Sequence, residues 1–223
     1  MAALTESNYR SDWLDEKFDN LHCREQVTFA IAEDVVMAEV CGKVTKSTPT
    51  TGTAGGTNTG GGTCTGVTGD AETILGIYTL ECTVVADASA GTGAMFSVMN
   101  PEGAALPDAE ADVAFANEQT NFTINTSGAA FIVGDSFTIT VAAGSGQVKA
   151  LSLTAVDGTQ DAYGISYGAY GEAAATEEGI LIVRDANIVP AYLTWPAGAS
   201  AGQKAAGLAQ LKLKGITERG SEA

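Results

Sequence analysis

The stretch YLTWPAGASAGQKAAGLAQLKLKGI, residues 192–216, contains the clearest structural signal in the chain, a complete helix with its start and its stop. Ser200 is a favourable N-cap, and Gln203, three residues later, completes a capping box. Gly215 ends the helix, because glycine readily adopts the left-handed conformation of a helix terminus. Apolar residues at helical spacing predict one buried stripe. Its members are Ala201, Ala205, Leu208 and Leu211.

The residues just upstream predict β-structure. Leu193 and Trp195 alternate with a polar threonine and run into Pro196, which has no N–H with which to continue a strand. Before them lies the apolar segment ILIVRDANIV, residues 180–189. The order is therefore strand, Trp-Pro turn, Ala-rich helix and glycine.

This order resembles the C-terminal half of the lambda-like phage head decoration proteins. In that family a strand similar to Val-Arg-Gly-x-Ala-x-Val precedes a Leu-x-Trp motif and an Ala/Leu-rich helix. Here the strand positions are held by Val183, Arg184, Ala186 and Val189, and Asp185 stands where a glycine is common.

The beginning of the chain resembles the same family. The segment from Arg24 to Val27 and the Val40-Cys-Gly-Lys-Val segment are similar to the first strand and the Leu-Gly-Lys-Val segment of its members, with Cys41 in the place of leucine. The turn at Asp157-Gly158 and the segment from Ala162 to Ile165 also match. The resemblance thus implies a discontinuous decoration domain, formed by residues 25–46 and 147–223.

Composition favours a mainly β protein. The 223 residues include 45% hydrophobic residues, 27 glycines and many threonines, and helix-like patterns are few before Ser200. The net charge of −16 opposes binding to nucleic acid or to an anionic membrane, because such partners require basic residues. No apolar run approaches the roughly 20 residues of a membrane span, and the N-terminus lacks the apolar stretch of a signal peptide. We therefore expect synthesis in a host cytoplasm and free thiols at the four cysteines.

Residues 47–146 predict an inserted module. The Thr/Gly-rich tract from Ser47 to Gly66 predicts a flexible linker, since nothing in it is expected to pack in a core. Alternating segments then predict a small β-sandwich of the immunoglobulin-like kind. They resemble a β module of phage virion proteins at Gly76–Leu80, Phe96–Gly103 and Val133–Val141. Between Lys46 and Lys149 the chain has ten acidic residues and no Lys or Arg, which favours solubility.

Residues 1–24 form an acidic segment with one apolar repeat. Leu14, Phe18 and Leu21 recur at helical spacing, with Trp13 beside them. Two interpretations stay open from the residues alone: these side chains fold onto the core of the same chain, or they form an arm that docks on a partner. The resemblance implies the second, with these four residues contacting the major capsid protein.

The sequence offers little for catalysis. His22 is the only histidine, and neither an orienting carboxylate nor an oxyanion hole is evident beside it. The Asp157–Asp161 segment lacks the further oxygens of a calcium loop, so we expect neither a metal nor another cofactor. The resemblance implies a non-enzymatic virion protein that binds the outer capsid surface as a homotrimer, at three-fold and quasi-three-fold positions, and stabilises the head against DNA pressure. The alternative is a cell-surface or tail-fibre-type adhesion module.

Overall fold

The computed structural model describes residues 14, 22–31, 34–87, 89, 91–170 and 175–219. The chain divides into two compact units. Unit 1 is drawn from Met1–Thr45 and Gly144–Ala223, and unit 2 is Lys46–Ala143. Over the described residues the protein is mainly β, with one α-helix, which lies near the C-terminus as the sequence predicts.

The strands and the helix of the described residues follow in chain order. They are β1 (Arg24–Phe29), β2 (Val40–Lys43), β3 (Thr53–Ala54), β4 (Thr63–Gly69), β5 (Gly76–Val84), β6 (Met95–Met99), β7 (Ala105–Glu110), β8 (Ala114–Ala116), β9 (Thr120–Asn125), β10 (Ser136–Val141), β11 (Val148–Ala150), β12 (Gly164–Ser166), β13 (Glu177–Ile182), β14 (Ala186–Ile188), α1 (Ala201–Leu213) and β15 (Ile216–Glu218).

Unit 1 is built on a closed five-stranded barrel in the order β1-β11-β2-β12-β13, with β13 returning to β1. The pairs are antiparallel except for β1 with β11, which run parallel and meet at Phe29 and Val148. Beside the barrel, β14 and β15 form a short parallel pair. Helix α1 is followed directly by β15. Because β15 pairs with β14, the C-terminal segment is held to the strand that follows the last barrel strand.

Two apolar clusters fill unit 1. Consecutive residues belong to different clusters, as the alternation of side chains in a strand requires: Cys41 and Leu181 lie in one, and Val40 and Ile182 lie in the other. The second cluster also includes Leu211 of α1. Both faces of these strands are therefore buried, which explains why residues 180–183 are apolar without interruption.

The predicted ends of the helix are confirmed. Ser200 and Gln203 form the capping box, with the Gln203 N–H donating to Ser200 Oγ over 3.3 Å and the Ser200 N–H donating to Gln203 Oε1 over 3.0 Å. Gly215 follows the last turn with φ +78°.

The predicted stripe is only partly right. Leu208 and Leu211 pack inward, but Ala201 and Ala205 are exposed, and Gly207 is buried instead. A Cβ atom on Gly207 would come within 2.7 Å of the Trp195 ring. The buried side of the helix is therefore the side that carries Gly207, where the absence of a side chain leaves room for the Trp195 indole.

The predicted strand through Leu193 and Trp195 is wrong. A 3-10 turn occupies Pro190–Tyr192, and Thr194 makes a single parallel bridge to Glu39. Pro190 begins the 3-10 turn and Pro196 has no N–H to donate, so pairing is confined to Thr194, whose N–H donates to the Ala38 carbonyl over 2.9 Å.

Unit 2 contains two sheets that share one apolar core. The larger has the order β3-β10-β5-β6-β7 and the smaller has the order β4-β9-β8. Buried side chains from both sheets join in one cluster, among them Tyr78, Phe96 and Phe137 of the larger sheet and Phe122 and Ile124 of the smaller. The predicted sandwich strands are present, while the immunoglobulin-like assignment stays a prediction.

The flexible linker predicted for Ser47–Gly66 is wrong, because the tract supplies β3 and the start of β4. Cys64 is fully buried in the core. Asn58 and Ser136 exchange two hydrogen bonds, of 2.7 and 2.8 Å, and the N–H groups of Thr59 and Gly60 donate to Asp135 over 2.7 and 2.9 Å. Backbone amides therefore fix a segment whose side chains contribute little apolar surface.

We predict opposite effects for two glycine-to-alanine substitutions in α1. Gly207→Ala places a methyl group against Trp195 and should lower the free energy of unfolding by about 1–3 kcal/mol. Gly202→Ala meets no atom within 4 Å and should raise it by a few tenths to about 1 kcal/mol, through helix propensity. Urea unfolding followed by tryptophan fluorescence measures both. Equal stabilisation by the two variants would show that the Trp195 contact is unimportant.

A second prediction concerns Asp135, a buried carboxylate in unit 2. Burial acts to raise its pKa, but hydrogen bonds from the N–H groups of Ile132, Thr59 and Gly60 outweigh burial and hold the pKa below its usual range. Its contribution to stability is therefore present above the unfolded-state pKa of about 3.9 and is lost as pH falls through the lower folded-state pKa.

Asp135→Asn should destabilise unit 2 by roughly 1.5–3 kcal/mol at pH 7, because it removes a charged hydrogen-bond acceptor. Near pH 2 the difference from the unchanged protein should shrink. Calorimetry, with hydrogen exchange on peptides covering β10, measures the effect. Asp108→Asn, which makes the same charge change at an exposed residue of β7, is the control; equal destabilisation by the two variants would contradict the prediction.

Candidate functional site

Two described points of the N-terminal segment, Leu14 and residues 22–23, contact the stretch of unit 1 that contains β14. We call this contact region the N-terminal junction; it comprises Leu14, His22, Cys23, Val183, Asp185 and Ile188. Leu14 makes an antiparallel bridge to Ile188. The Val183 N–H donates to the Cys23 carbonyl over 2.9 Å. The segment therefore runs antiparallel to residues 183–188 at both of its described points.

Leu14 is buried, with 4% of its surface exposed, in the same apolar cluster as Ile188, Leu211 and Ile216. For Leu14 the structure agrees with the first of the two interpretations left open by the sequence: its side chain packs on the core of the same chain. The other predicted contact residues, Trp13, Phe18 and Leu21, lie outside the described residues.

A polar corner lies beside this apolar anchor. His22 Nε2 is 3.5 Å from the Asp185 carboxylate, and both side chains are largely exposed. Asp185 has a left-handed φ of +45°, which accounts for the glycine common at this position in the proteins that the sequence resembles. A Cβ atom on Gly215 would lie 2.5 Å from Asp185 Oδ1, so the corner also requires glycine on the facing segment.

A charged and aromatic network covers part of the barrel. Arg184 donates to Glu25 over 3.0 Å, and the Tyr163 hydroxyl donates to the same carboxylate over 3.0 Å. Lys43 and Lys214 lie over the Tyr163 ring, at 4.7 and 4.3 Å from its centroid. Lys214 also donates to the carbonyls of residues 162 and 163, so it joins the end of α1 to the barrel. Partial burial lowers the pKa of Lys214.

The thiols are arranged for packing. The four cysteines form no disulfide with one another, and all four are buried. Burial raises the pKa of Cys64 to about 11 and also raises the pKa values of Cys23 and Cys82, which keeps these groups in the weakly nucleophilic thiol form.

Over the described ranges, no three or more His, Cys, Asp or Glu side chains are grouped so that they could hold a metal ion. No helix in the described part of the chain has the length and hydropathy needed to span a membrane.

The sequence did not single out Ile188, Ile216 or Asp185 as partners of the N-terminal segment. The apolar character of Ile188 and Ile216 signals burial but not the identity of the neighbour. For Asp185 a signal was present, since an aspartate in a position usually held by glycine is typical of a left-handed backbone.

Two crystal structures of FlgL from Xanthomonas campestris are similar at TM-scores of 0.32 and 0.31, with 19% and 20% identity. The matches cover 51% and 52% of this chain but 34% and 33% of those structures, so the chain spans about a third of their length. No curated protein matches the chain.

The family model for the bacteriophage lambda head decoration protein D matches residues 3–216. The match begins in the N-terminal segment and ends in β15, so it includes every strand of the barrel, α1 and both sides of the N-terminal junction. The chain belongs to the bacteriophage lambda head decoration protein D family.

Proposed function

We propose that this protein is a non-enzymatic structural component of a tailed-phage virion, which binds the outer surface of the capsid and stabilises the head against the pressure of the packaged DNA. The observation that carries the proposal is the family match over residues 3–216. Its partner is then the major capsid protein, and its working form is a homotrimer at three-fold and quasi-three-fold positions.

The N-terminal junction supports a specific role for the first residues of the chain. Leu14 is buried in the core of unit 1 and bridges to Ile188, so its position beside β14 is fixed. We assign Trp13, Phe18 and Leu21 to the capsid contact and Leu14 to its anchor. Burying one large apolar side chain contributes about 1.5–3 kcal/mol, and three copies in a trimer multiply weak contacts.

The two units have different roles in this proposal. Unit 1 is the decoration domain, and unit 2 is an insertion that projects away from the particle and makes few contacts with the shell. The support is the connection in unit 1: the Gly144 N–H donates to the Thr45 carbonyl over 2.9 Å, and the Val44 N–H donates to the Gln147 carbonyl over 2.9 Å. These bonds extend the β2–β11 pair, so the insertion occupies the turn of a hairpin.

The first test of the proposal changes the predicted capsid contact. A triple variant, Trp13→Ala with Phe18→Ala and Leu21→Ala, should lose retention on expanded capsid shells in co-sedimentation, since it removes the apolar groups assigned to the contact. Its unfolding midpoint should stay close to that of the unchanged protein. Full retention on shells would contradict the assignment.

Leu14→Ala is the matched variant for this test. It truncates a buried leucine, so it should lower the stability of unit 1 by about 2–4 kcal/mol. At a temperature where the variant is still folded, it should bind shells. The pair of variants thus separates docking on the capsid from anchoring in the core.

The second test removes unit 2. Replacing residues 46–143 by a short Gly-Ser turn should leave a folded unit 1, because the hydrogen bond between Thr45 and Gly144 already brings the two chain ends together. The shortened protein should bind shells and protect them from heat as the full chain does. If it folds, by circular dichroism, but fails to bind, unit 2 is part of the capsid interface and the proposed division of roles is wrong.

A further inference from the structure

Unit 2 carries a group of exposed aliphatic side chains at one of its ends. We call this group the distal patch; it comprises Val84, Val85, Ile132 and Val133, each between 46% and 62% exposed. Single apolar side chains are ordinary on a protein surface, but a group of large ones is typical of a contact site. The distal patch is therefore a candidate surface for a partner.

Two chain segments form the distal patch, and backbone hydrogen bonds hold them side by side. The Gly134 N–H donates to the Cys82 carbonyl over 3.0 Å, and the Cys82 N–H donates to the Asp135 carbonyl over 2.8 Å. These bonds continue the β5–β10 pair past the start of β10. The turn of residues 132–135 thus lies beside the end of β5.

Hydrogen bonds also fix the turn itself. The Asp135 N–H donates to the Ile132 carbonyl over 3.1 Å, and the Ile132 N–H donates to the Asp135 carboxylate over 3.0 Å. The same carboxylate accepts from the N–H groups of Thr59 and Gly60. A segment that is already ordered loses little conformational entropy when it binds. The distal patch is therefore presented on a preorganised backbone.

The distal patch lies at the end of unit 2 away from the point where the chain enters and leaves. At that point Lys46 bridges to Ala143, just beyond Val141 of β10, which faces Gly76 at the start of β5. Strand β5 has nine residues, so it spans roughly 25–30 Å before it ends at Val84.

The surroundings of the distal patch are anionic. Val84 faces Met95 and Met95 faces Glu110, so Glu110 lies two strands away, at about 10 Å. Along the chain, Glu81 comes three residues before Val84 and Asp87 comes three residues after it. Residues 47–143 include no Lys, Arg or His, and the single lysine of unit 2 is at the opposite end. These carboxylates are therefore not offset by a nearby positive charge of the same unit.

We infer that the distal patch binds a protein segment in which a large apolar side chain is flanked by lysine or arginine. The apolar contact drives association, and the carboxylates select a cationic partner, because opposite charges attract. The same carboxylates oppose an anionic lipid surface and a second copy of unit 2, since both carry negative charge. The inference rests on unit 2 alone and goes beyond the proposed attachment to the capsid.

The first experiment measures this preference in the full-length protein. Three short synthetic peptides serve as probes: a Lys/Leu peptide, a Lys/Ser peptide that keeps only the charge, and a Glu/Leu peptide that keeps only the apolar groups. Isothermal titration calorimetry should give the Lys/Leu peptide a dissociation constant about tenfold below those of the other two. Equal affinity for the Lys/Ser or the Glu/Leu peptide would overturn the inference.

Matched variants then locate the bound peptide. Ile132→Thr with Val133→Thr should weaken binding of the Lys/Leu peptide about tenfold, since it removes apolar contact area and keeps β-branched side chains. Leu75→Thr with Ile77→Thr, which changes two similarly exposed residues at the other end of β5, is the control and should leave binding unchanged. Equal weakening by the two double variants would contradict the assignment.

The unchanged protein gives an independent map of the same contact. Addition of the Lys/Leu peptide should shift the NMR amide signals of residues 82–87 and 132–135. Shifts centred on another part of the chain would show that the peptide binds elsewhere and would refute the distal patch as its site.

A second pair of variants separates local charge from net charge. Glu81→Gln with Asp87→Asn removes two carboxylates beside the distal patch and should weaken binding of the Lys/Leu peptide about threefold. Glu72→Gln with Glu102→Gln removes two exposed carboxylates near the start of β5 and should have a smaller effect. Equal effects would mean that the peptide responds to net charge alone, against the inference.

Two further measurements address the other candidate occupants. Co-sedimentation with vesicles of phosphatidylcholine and phosphatidylglycerol should show no binding. Sedimentation equilibrium should give the same mass for the unchanged protein and for the variant with Ile132→Thr and Val133→Thr. Vesicle binding or self-association that this variant loses would assign the distal patch to a membrane or to a second copy, and would overturn the inference.

None of these experiments uses capsid shells. A chain that is retained on shells but shows no preference for the Lys/Leu peptide would disprove this inference and leave the proposed function intact.

Discussion

Strand β1 holds unit 1 together because both of its edges are used. Along one edge it pairs with β13 over six residues, and on the other it meets β11 at Phe29 and Val148. These partners lie after unit 2 in the chain, so the barrel can close only when residues from both sides of the insertion come together. Phe29, fully buried at this meeting point and stacked on Tyr170 at 4.6 Å, links the closure to the interior of the barrel. The insertion is accommodated because it occupies a hairpin turn and does not interrupt a strand.

Features set by neighbouring residues could be predicted from the sequence. The capping box of Ser200 and Gln203 and the stop at Gly215 depend on hydrogen bonds within one turn, and alternation within β5 and β10 identifies one buried face. Which side of α1 is buried depends instead on a residue outside the helix. Trp195 selects Gly207, because only a residue without a side chain admits the indole so closely. Hydrophobicity along the helix gives no information about that fit.

The Thr/Gly tract and the N-terminal segment show the same limit over longer distances. Composition indicates correctly that the tract has little apolar surface, but its order comes from amide contacts to Asp135 and Ser136, far along the chain. Leu14 similarly has its partner, Ile188, in the C-terminal half. The sequence identified Leu14 as an apolar residue in a polar segment. The sequence could not show whether Leu14 packs on its own chain or docks on a partner protein, because either role requires an apolar side chain in this segment.

The hairpin position of unit 2 has a consequence for how this chain can be altered. Thr45 and Gly144 are joined by one backbone hydrogen bond, so any domain whose own ends lie side by side can be exchanged at this point without altering the register of the barrel. The connection constrains only the separation of two chain ends, and it leaves the charge, fold and size of the insert unconstrained. The same property makes the site suitable for grafting a foreign domain, with unit 1 serving as a constant base and the graft as its replaceable display.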